Sequence, residues 1–149
     1  MSYVKQTNGP MKVIGVSIRT TNADFQKIVG GIWEKFFREE GKIPRKNEEL
    51  LGLYTDYETD YTGPFTYMIG YEVESLDNIP QGLVGIELDP SPYAVFTAKG
   101  EFPQSMKDAW GEIWNSNLNR SYTTDFEIYG KNINLQTNPE VKICIALKK

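Results

Sequence analysis

Phe25-Gln26-Lys27-Ile28-Val29-Gly30-Gly31-Ile32-Trp33-Glu34-Lys35-Phe36-Phe37 has a counterpart further along the chain. Phe102, Trp110 and Trp114 repeat the places of Phe25, Trp33 and Phe37, each 77 residues later, and the following Leu53-Tyr54 returns as Ile128-Tyr129, 75 residues later. A chain that repeats a helix-and-strand unit predicts two similar modules facing each other across a pseudo-twofold axis, with a cleft between them. The copies differ at one place: Gly52 precedes Leu53-Tyr54, whereas Glu127 precedes Ile128-Tyr129. A carboxylate present in only one half of a near-duplicate points to a ligand rather than to the scaffold.

The periodicities around these runs give the rest of each module. Ile14, Val16 and Ile18 alternate within 12–19, the pattern of a strand. Phe25, Ile28, Val29, Ile32, Trp33, Phe36 and Phe37 then fall at helical spacing and make a wide apolar face. Gly41 is expected to cap the C-terminus of that helix, with Pro44 preventing continuation. The interior Gly30-Gly31 pair costs roughly 1 kcal/mol per residue relative to Ala, and close packing against a strand is the expected reason for it. Residues 50–57 and 65–73 read as strands joined by the Asp60-Tyr61-Thr62-Gly63-Pro64 loop, with Phe65, Tyr67, Ile69, Tyr71 and Val73 on one covered face.

After a linker with a short strand-like run at 83–88, the pattern restarts. It gives a strand over 93–99, a helix carrying Met106, Ala109, Trp110, Ile113, Trp114 and Leu118 with Pro103 near its first turn, and strands over 125–129 and 141–147. The predicted fold is α+β: two pseudo-symmetric strand-helix-strand-strand modules form a mostly antiparallel sheet with two main helices and a central cleft. The expected organisation is a single domain over 1–149, with one module at about 11–75, a linker at about 76–91 and a second module at about 92–149.

Composition excludes several functions. The chain has 149 residues and 40% apolar content, enough for an ordinary core. Its net charge is −4, its pI is about 4.9, and no basic cluster is longer than the terminal Lys148-Lys149. Direct nucleic-acid binding, which needs clustered phosphate-neutralising residues, is therefore not expected; a lipophilic cation fits the sign better. Histidine is absent, which removes Ser-His-Asp and Cys-His catalysis and HExxH metal sites. Asp56, Glu58 and Asp60 alternate but lack the Gly and distal Glu of a calcium loop, so they read as a solvated hairpin. There is no G-x-S-x-G elbow and no phosphate-binding Gly-rich loop. The lone Cys144 sits in an apolar run, the setting of a buried structural thiol. No catalytic residue, metal or cofactor is expected. No secretory h-region or membrane-length apolar stretch is seen, so a soluble cytoplasmic protein without membrane contact is expected.

Several stretches resemble the GyrI-like small-molecule-binding superfamily, which includes the effector-binding domains of AraC-type and MerR-type multidrug regulators and stand-alone, integron-associated effector proteins. They are Met11-Lys12-Val13-Ile14-Gly15-Val16-Ser17, Ile32-Trp33 with Phe36-Phe37, Leu51-Gly52-Leu53-Tyr54, Ile79-Pro80-Gln81-Gly82-Leu83, Pro92-Tyr93-Ala94-Val95-Phe96-Thr97 running into Lys99-Gly100, the helix with Trp110 and Trp114, and Asp125-Phe126-Glu127-Ile128-Tyr129. The resemblance implies binding of hydrophobic, often cationic, molecules in the central cleft, with the Glu of the last stretch, Glu127, at its floor. No helix-turn-helix region accompanies the domain, so a stand-alone sensor or sequestering protein is expected, and a transcriptional role requires a separate transcription-factor or enzyme partner.

Alternation along 125–129 sends Glu127 and Tyr129 to one side and Phe126 and Ile128 to the other. Pattern alone would leave Glu127 in solvent, where most glutamates lie; the repeat asymmetry and the resemblance place it in the cleft. Candidate ligand-binding residues are Glu127, Trp110, Tyr71, Trp33 and Tyr54, although each of these rings also suits a core. Two alternatives to cation binding stay open: a hydrolase of reactive small molecules that uses a cleft Glu and Tyr, and a protein–protein inhibitor of the gyrase-inhibitor type.

Overall fold

Backbone pairing turns the alternating runs into one eight-stranded sheet, seen in a computed structural model that describes residues 3–130 and 139–149. The strands are β1 (Tyr3–Asn8), β2 (Met11–Thr20), β3 (Leu50–Thr55), β4 (Phe65–Val73), β5 (Val84–Leu88), β6 (Ser91–Ala98), β7 (Thr124–Tyr129) and β8 (Val141–Ala146). Helix α1 (Asn22–Glu39) joins β2 to β3, and α2 (Gln104–Trp114) joins β6 to β7. The spatial order is β1-β6-β8-β7-β3-β4-β2-β5, and each described pairing is antiparallel.

That order reads the same from either edge once β2, β3 and β4 are matched with β6, β7 and β8. The edges are exchanged: β1 precedes β2 but pairs with β6, and β5 precedes β6 but pairs with β2. The pseudo-twofold axis can be located from register alone. Gly52 pairs with Glu127 across the β3–β7 seam, and the two are also repeat mates, 75 residues apart. A residue paired with its own mate lies on the axis.

Helical periodicity then decides what each helix buries. α1 starts at Thr21, whose side chain accepts from the Asp24 N–H, and it anchors through Ile32 and Phe36; α2 anchors through Met106, Ala109 and Ile113. Full burial of side chains such as Phe36 and Ile113 contributes roughly 1.5 to 3 kcal/mol each. These anchors join Ile14, Val16, Phe65, Tyr67, Ile69, Ile143 and Ile145 in the core on the helix side, while Val13, Leu53, Met68, Phe126 and Cys144 form a second buried cluster. The face predicted for Phe65, Tyr67, Ile69, Tyr71 and Val73 is thus one face, and it is covered.

Three local expectations differ. Gly41 lies inside a 3-10 turn, Glu40–Lys42, and the C-cap of α1 is Glu40. Gly30 and Gly31 have open space where a side chain would stand, so strand packing does not account for them. Gly30 instead borders a cavity. β1 carries no sequence signal, because five of its six residues are exposed and its pairing to β6 is made by backbone groups, which any residue but proline supplies. No described helix is long and apolar enough to cross a membrane.

Candidate functional site

The apolar face of each helix is wider than its anchor stripe, and the surplus lines a cavity of about 560 Å³ between the helices and the sheet. α1 contributes Phe25, Val29, Trp33 and Phe37, and α2 contributes Met106, Trp110 and Trp114; Tyr54, Tyr67, Glu127 and Tyr129 come from the central strands. The wall is pseudo-symmetric. Trp33 meets Tyr129 with ring centroids 5.4 Å apart, and their mates Trp110 and Tyr54 meet at 5.0 Å.

At the axis this symmetry is broken by one carboxylate. Glu127 is 2% exposed. Its Oε2 accepts from the Tyr54 hydroxyl at 2.8 Å and from Trp110 Nε1 at 2.7 Å, and its Oε1 accepts from the Tyr129 hydroxyl at 2.5 Å. The asymmetry between repeats has a steric reason: a Cβ at Gly52 would stand 3.1 Å from Glu127 Oε1 and 3.2 Å from the Tyr67 hydroxyl. A side chain on one strand fills the axis and leaves room only for hydrogen on the other.

The electrostatics follow from burial without a counter-charge. Desolvation raises the Glu127 pKa, while hydrogen bonds from Tyr129, Trp110 and Tyr54 pull it down. The same desolvation, with the Glu127 charge nearby, holds the Tyr54, Tyr67 and Tyr129 hydroxyls well above their usual range, so they remain donors. No lysine or arginine is paired with Glu127 among the described residues.

Asp125, two residues earlier on the same strand face, shows the opposite arrangement. It is fully buried, and its Oδ2 accepts from Arg120 Nη2 and from the Tyr57 hydroxyl, both at 2.7 Å; Oδ1 accepts from the Ala146 N–H at 2.8 Å. Burial raises its pKa against the pull of Arg120. The scaffold thus supplies one buried carboxylate with a guanidinium and leaves the other with dipoles alone.

Of the residues singled out from sequence, Glu127, Trp110, Trp33 and Tyr54 meet at the cavity. Tyr71 does not. It lies beyond the cavity on β4, where its ring packs on Phe36 at 5.3 Å, the Arg45 guanidinium lies 3.9 Å over it, and its hydroxyl donates to Glu40 Oε1 at 3.4 Å. Tyr67, four residues earlier on the same face, takes that place. Sequence reading also passed over Tyr129 as a donor and Arg120 as a wall residue. The alternation Asp125-x-Glu127-x-Tyr129 was the available signal: two carboxylates on one buried face require either a cation or a set of donors. The acidic hairpin lies nearer the cavity than its polar sequence suggested, since Tyr57 and Tyr61 line the wall and Tyr61 stacks on Trp114 at 5.8 Å.

Comparison with known proteins agrees with this architecture. The integron cassette protein from the mobile metagenome of Vibrio cholerae is 33% identical and superposes with a TM-score of 0.80, over 99% of this chain and 96% of that one. The putative transcriptional regulator protein YobU of Bacillus subtilis strain 168 is 30% identical over 145 residues, 91% of each chain. The structure of SAV2435 bound to tetraphenylphosphonium shares the fold at 22% identity and a TM-score of 0.73, covering 97% of this chain and 94% of that one. Residues 6–147 match the Cass2 family model, described as integron-associated effector binding protein, and the chain belongs to that family.

Proposed function

We propose that the protein binds hydrophobic cations in the cavity between its two helices, with Glu127 supplying the counter-charge and Trp33, Tyr54 and Trp110 the walls. The observation that carries this reading is the contrast between the two buried carboxylates. Asp125 has Arg120, whereas Glu127 has three neutral donors and opens onto an aromatic cavity. A buried charge without a partner is costly, and a cation arriving from the cavity offsets that cost. Aromatic faces add roughly 0.5 to 2 kcal/mol per ring of cation–π attraction. The three donors also fix the carboxylate before the ligand arrives, so little ordering remains to be done on binding.

The structural neighbour SAV2435, which carries tetraphenylphosphonium, supports the reading by analogy of fold. The role assigned to this binding is that of a sensor or sequestering protein, which releases its ligand unaltered. The test is a thermal-shift and calorimetric panel of methyltriphenylphosphonium, tetraphenylphosphonium and the neutral, similarly shaped triphenylphosphine oxide, with mass analysis of every mixture afterwards. Stabilisation by the cations, with the neutral compound weaker and all compounds recovered intact, is the expected result. Equal binding of neutral and cationic compounds would overturn the charge reading, and altered product would overturn the sequestering role in favour of hydrolysis.

A further inference from the structure

The mouth of the cavity is lopsided. On α1, Val29 and Trp33 lie along the middle of the cavity-lining stripe and the buried anchors Ile32 and Phe36 on one flank; helical spacing sets Gln26, Gly30 and Phe37, all exposed, on the other. Gly30 therefore stands on the lip. Its counterpart 77 residues later is Lys107, which is exposed and lines the cavity from α2. An interior glycine weakens a helix, and it is normally kept for a left-handed backbone or a close neighbour. Neither applies to Gly30. It lies within α1 without a positive φ, and among the described residues an added Cβ would meet no atom within 4 Å. What the missing side chain leaves is room at the mouth.

The rest of the rim constrains what uses that room. Phe37, Phe102 and Trp114 line the cavity and yet are 41%, 42% and 38% exposed. Large aromatic side chains left in water around a cavity mark a surface that a ligand covers. Glu127, by contrast, lies deep in the site at 2% exposure. A ligand that meets both the buried carboxylate and the exposed rings must reach from the floor to the rim. We propose that Gly30 is a specificity-determining residue of this site: it opens the α1 lip, so that the cavity takes lipophilic cations with one long, uncharged aryl arm that passes out between the helices over Gly30. This rests on the cation reading of Glu127 and narrows its ligand class.

The experiment titrates methyltriphenylphosphonium and (p-phenylbenzyl)triphenylphosphonium calorimetrically into wild type, Gly30→Leu, Gly31→Leu and Glu127→Gln, with thermal denaturation of each empty protein. The two ions share their charged centre and differ only in the arm. Gly31 is the control: it is exposed and has open space like its neighbour, but it does not line the cavity. Leucine at either position relieves the cost of a helical glycine and should raise Tm by about 2 to 4 °C, so both variants fold. In wild type the long-armed ion binds about tenfold tighter than the methyl ion, because its arm buries apolar surface. In Gly30→Leu that advantage is lost while the methyl ion stays within about twofold of wild type, and in Gly31→Leu both ions bind as in wild type. The inference is overturned if the long arm gives no advantage in wild type, if the advantage persists in Gly30→Leu, or if Gly31→Leu abolishes it equally. Any of these leaves the cation reading standing when the methyl ion loses affinity in Glu127→Gln. If the methyl ion binds wild type and Glu127→Gln equally, the cation reading itself fails and this inference goes with it.

Discussion

Adding one methyl group at Gly52 tests whether the axis is reserved for the Glu127 carboxylate. The backbone there is extended and free of positive φ, so alanine is conformationally acceptable. Its new Cβ, however, would stand 3.1 Å from Glu127 Oε1, 3.2 Å from the Tyr67 hydroxyl and 3.4 Å from Tyr129 Cε2. The carboxylate must retreat by a few tenths of an ångström, which lengthens the bonds it accepts from Tyr129, Tyr54 and Trp110. The displaced carboxylate is held less firmly and off the position its three donors set for a ligand, so cation affinity should fall by about 1 kcal/mol, or about fivefold. Stability falls by up to about 2.5 kcal/mol. Relief of glycine's entropy cost contributes about 0.5 to 1 kcal/mol, and overpacking costs about 1 to 3 kcal/mol. The assay is calorimetric titration with methyltriphenylphosphonium beside thermal denaturation, for Gly52→Ala, Glu127→Gln and the double variant. The two substitutions should be non-additive, because they act on the same carboxylate. A Gly52→Ala protein with wild-type affinity, or losses that simply add, would refute the reasoning.

The other predictions also concern the carboxylate and its surroundings. Trp110→Phe keeps most of the wall but removes the Nε1 donor to Glu127, so cation affinity should fall by about threefold to tenfold, while the exposed Asp77→Ala should leave it unchanged; titration of both variants checks this. All three tryptophans of the chain line the cavity, so cation entry should quench or shift the whole intrinsic emission, and an unaltered spectrum at saturation would place the ligand elsewhere. The pH dependence has two opposite signs. Burial raises the folded-state pKa of Glu127, so cation affinity should be full well above the usual carboxylate range and fall as the pH drops through the raised value. The empty protein behaves in the opposite sense: a raised carboxyl pKa means the folded state holds its proton more tightly, so this group's contribution to stability declines as pH rises through the same window. Glu127→Gln should therefore stabilise the empty protein most near neutral pH and least near about pH 4, measured as a difference in Tm against wild type. Constant affinity between about pH 4 and about pH 8 contradicts the ionic contact.

The helices, the seam strands and the asymmetric axis were legible because each leaves a periodic mark. The 77-residue offset of the aromatic helices and the 75-residue offset of the following strands imply the pseudo-twofold arrangement, and the Gly52–Glu127 difference marks its axis. Position along a strand was not legible. Alternation put Tyr67 and Tyr71 on one face correctly but could not tell which lies beneath the space between the helices and which beneath Phe36. β1 was silent because backbone pairing at an edge demands no side-chain pattern. Arg120 was missed because a lone arginine in a polar loop looks solvated, and only the fold shows that Asp125 draws it inside. The Gly30-Gly31 pair was misjudged for the opposite reason. Its missing side chains border open space, and no contact compels them.

The central claim, that Glu127 provides the counter-charge for a bound cation, is tested most directly by calorimetric titration of wild type and Glu127→Gln with methyltriphenylphosphonium and neutral triphenylphosphine oxide. Glutamine preserves the shape and two of the three bonds. Its carbonyl oxygen can accept from Tyr54 and Trp110 where Oε2 does now, while at the Oε1 position its amide donates to the Tyr129 hydroxyl, which turns from donor to acceptor. The charge is removed with one bond reversed, and the neutral compound controls for that reversal. The cation should lose about 1 to 3 kcal/mol, about 5- to 150-fold, and the neutral compound should bind both proteins alike. Equal losses for the two compounds would make Glu127 a shaping residue without an ionic role, and unchanged cation affinity would contradict the account outright.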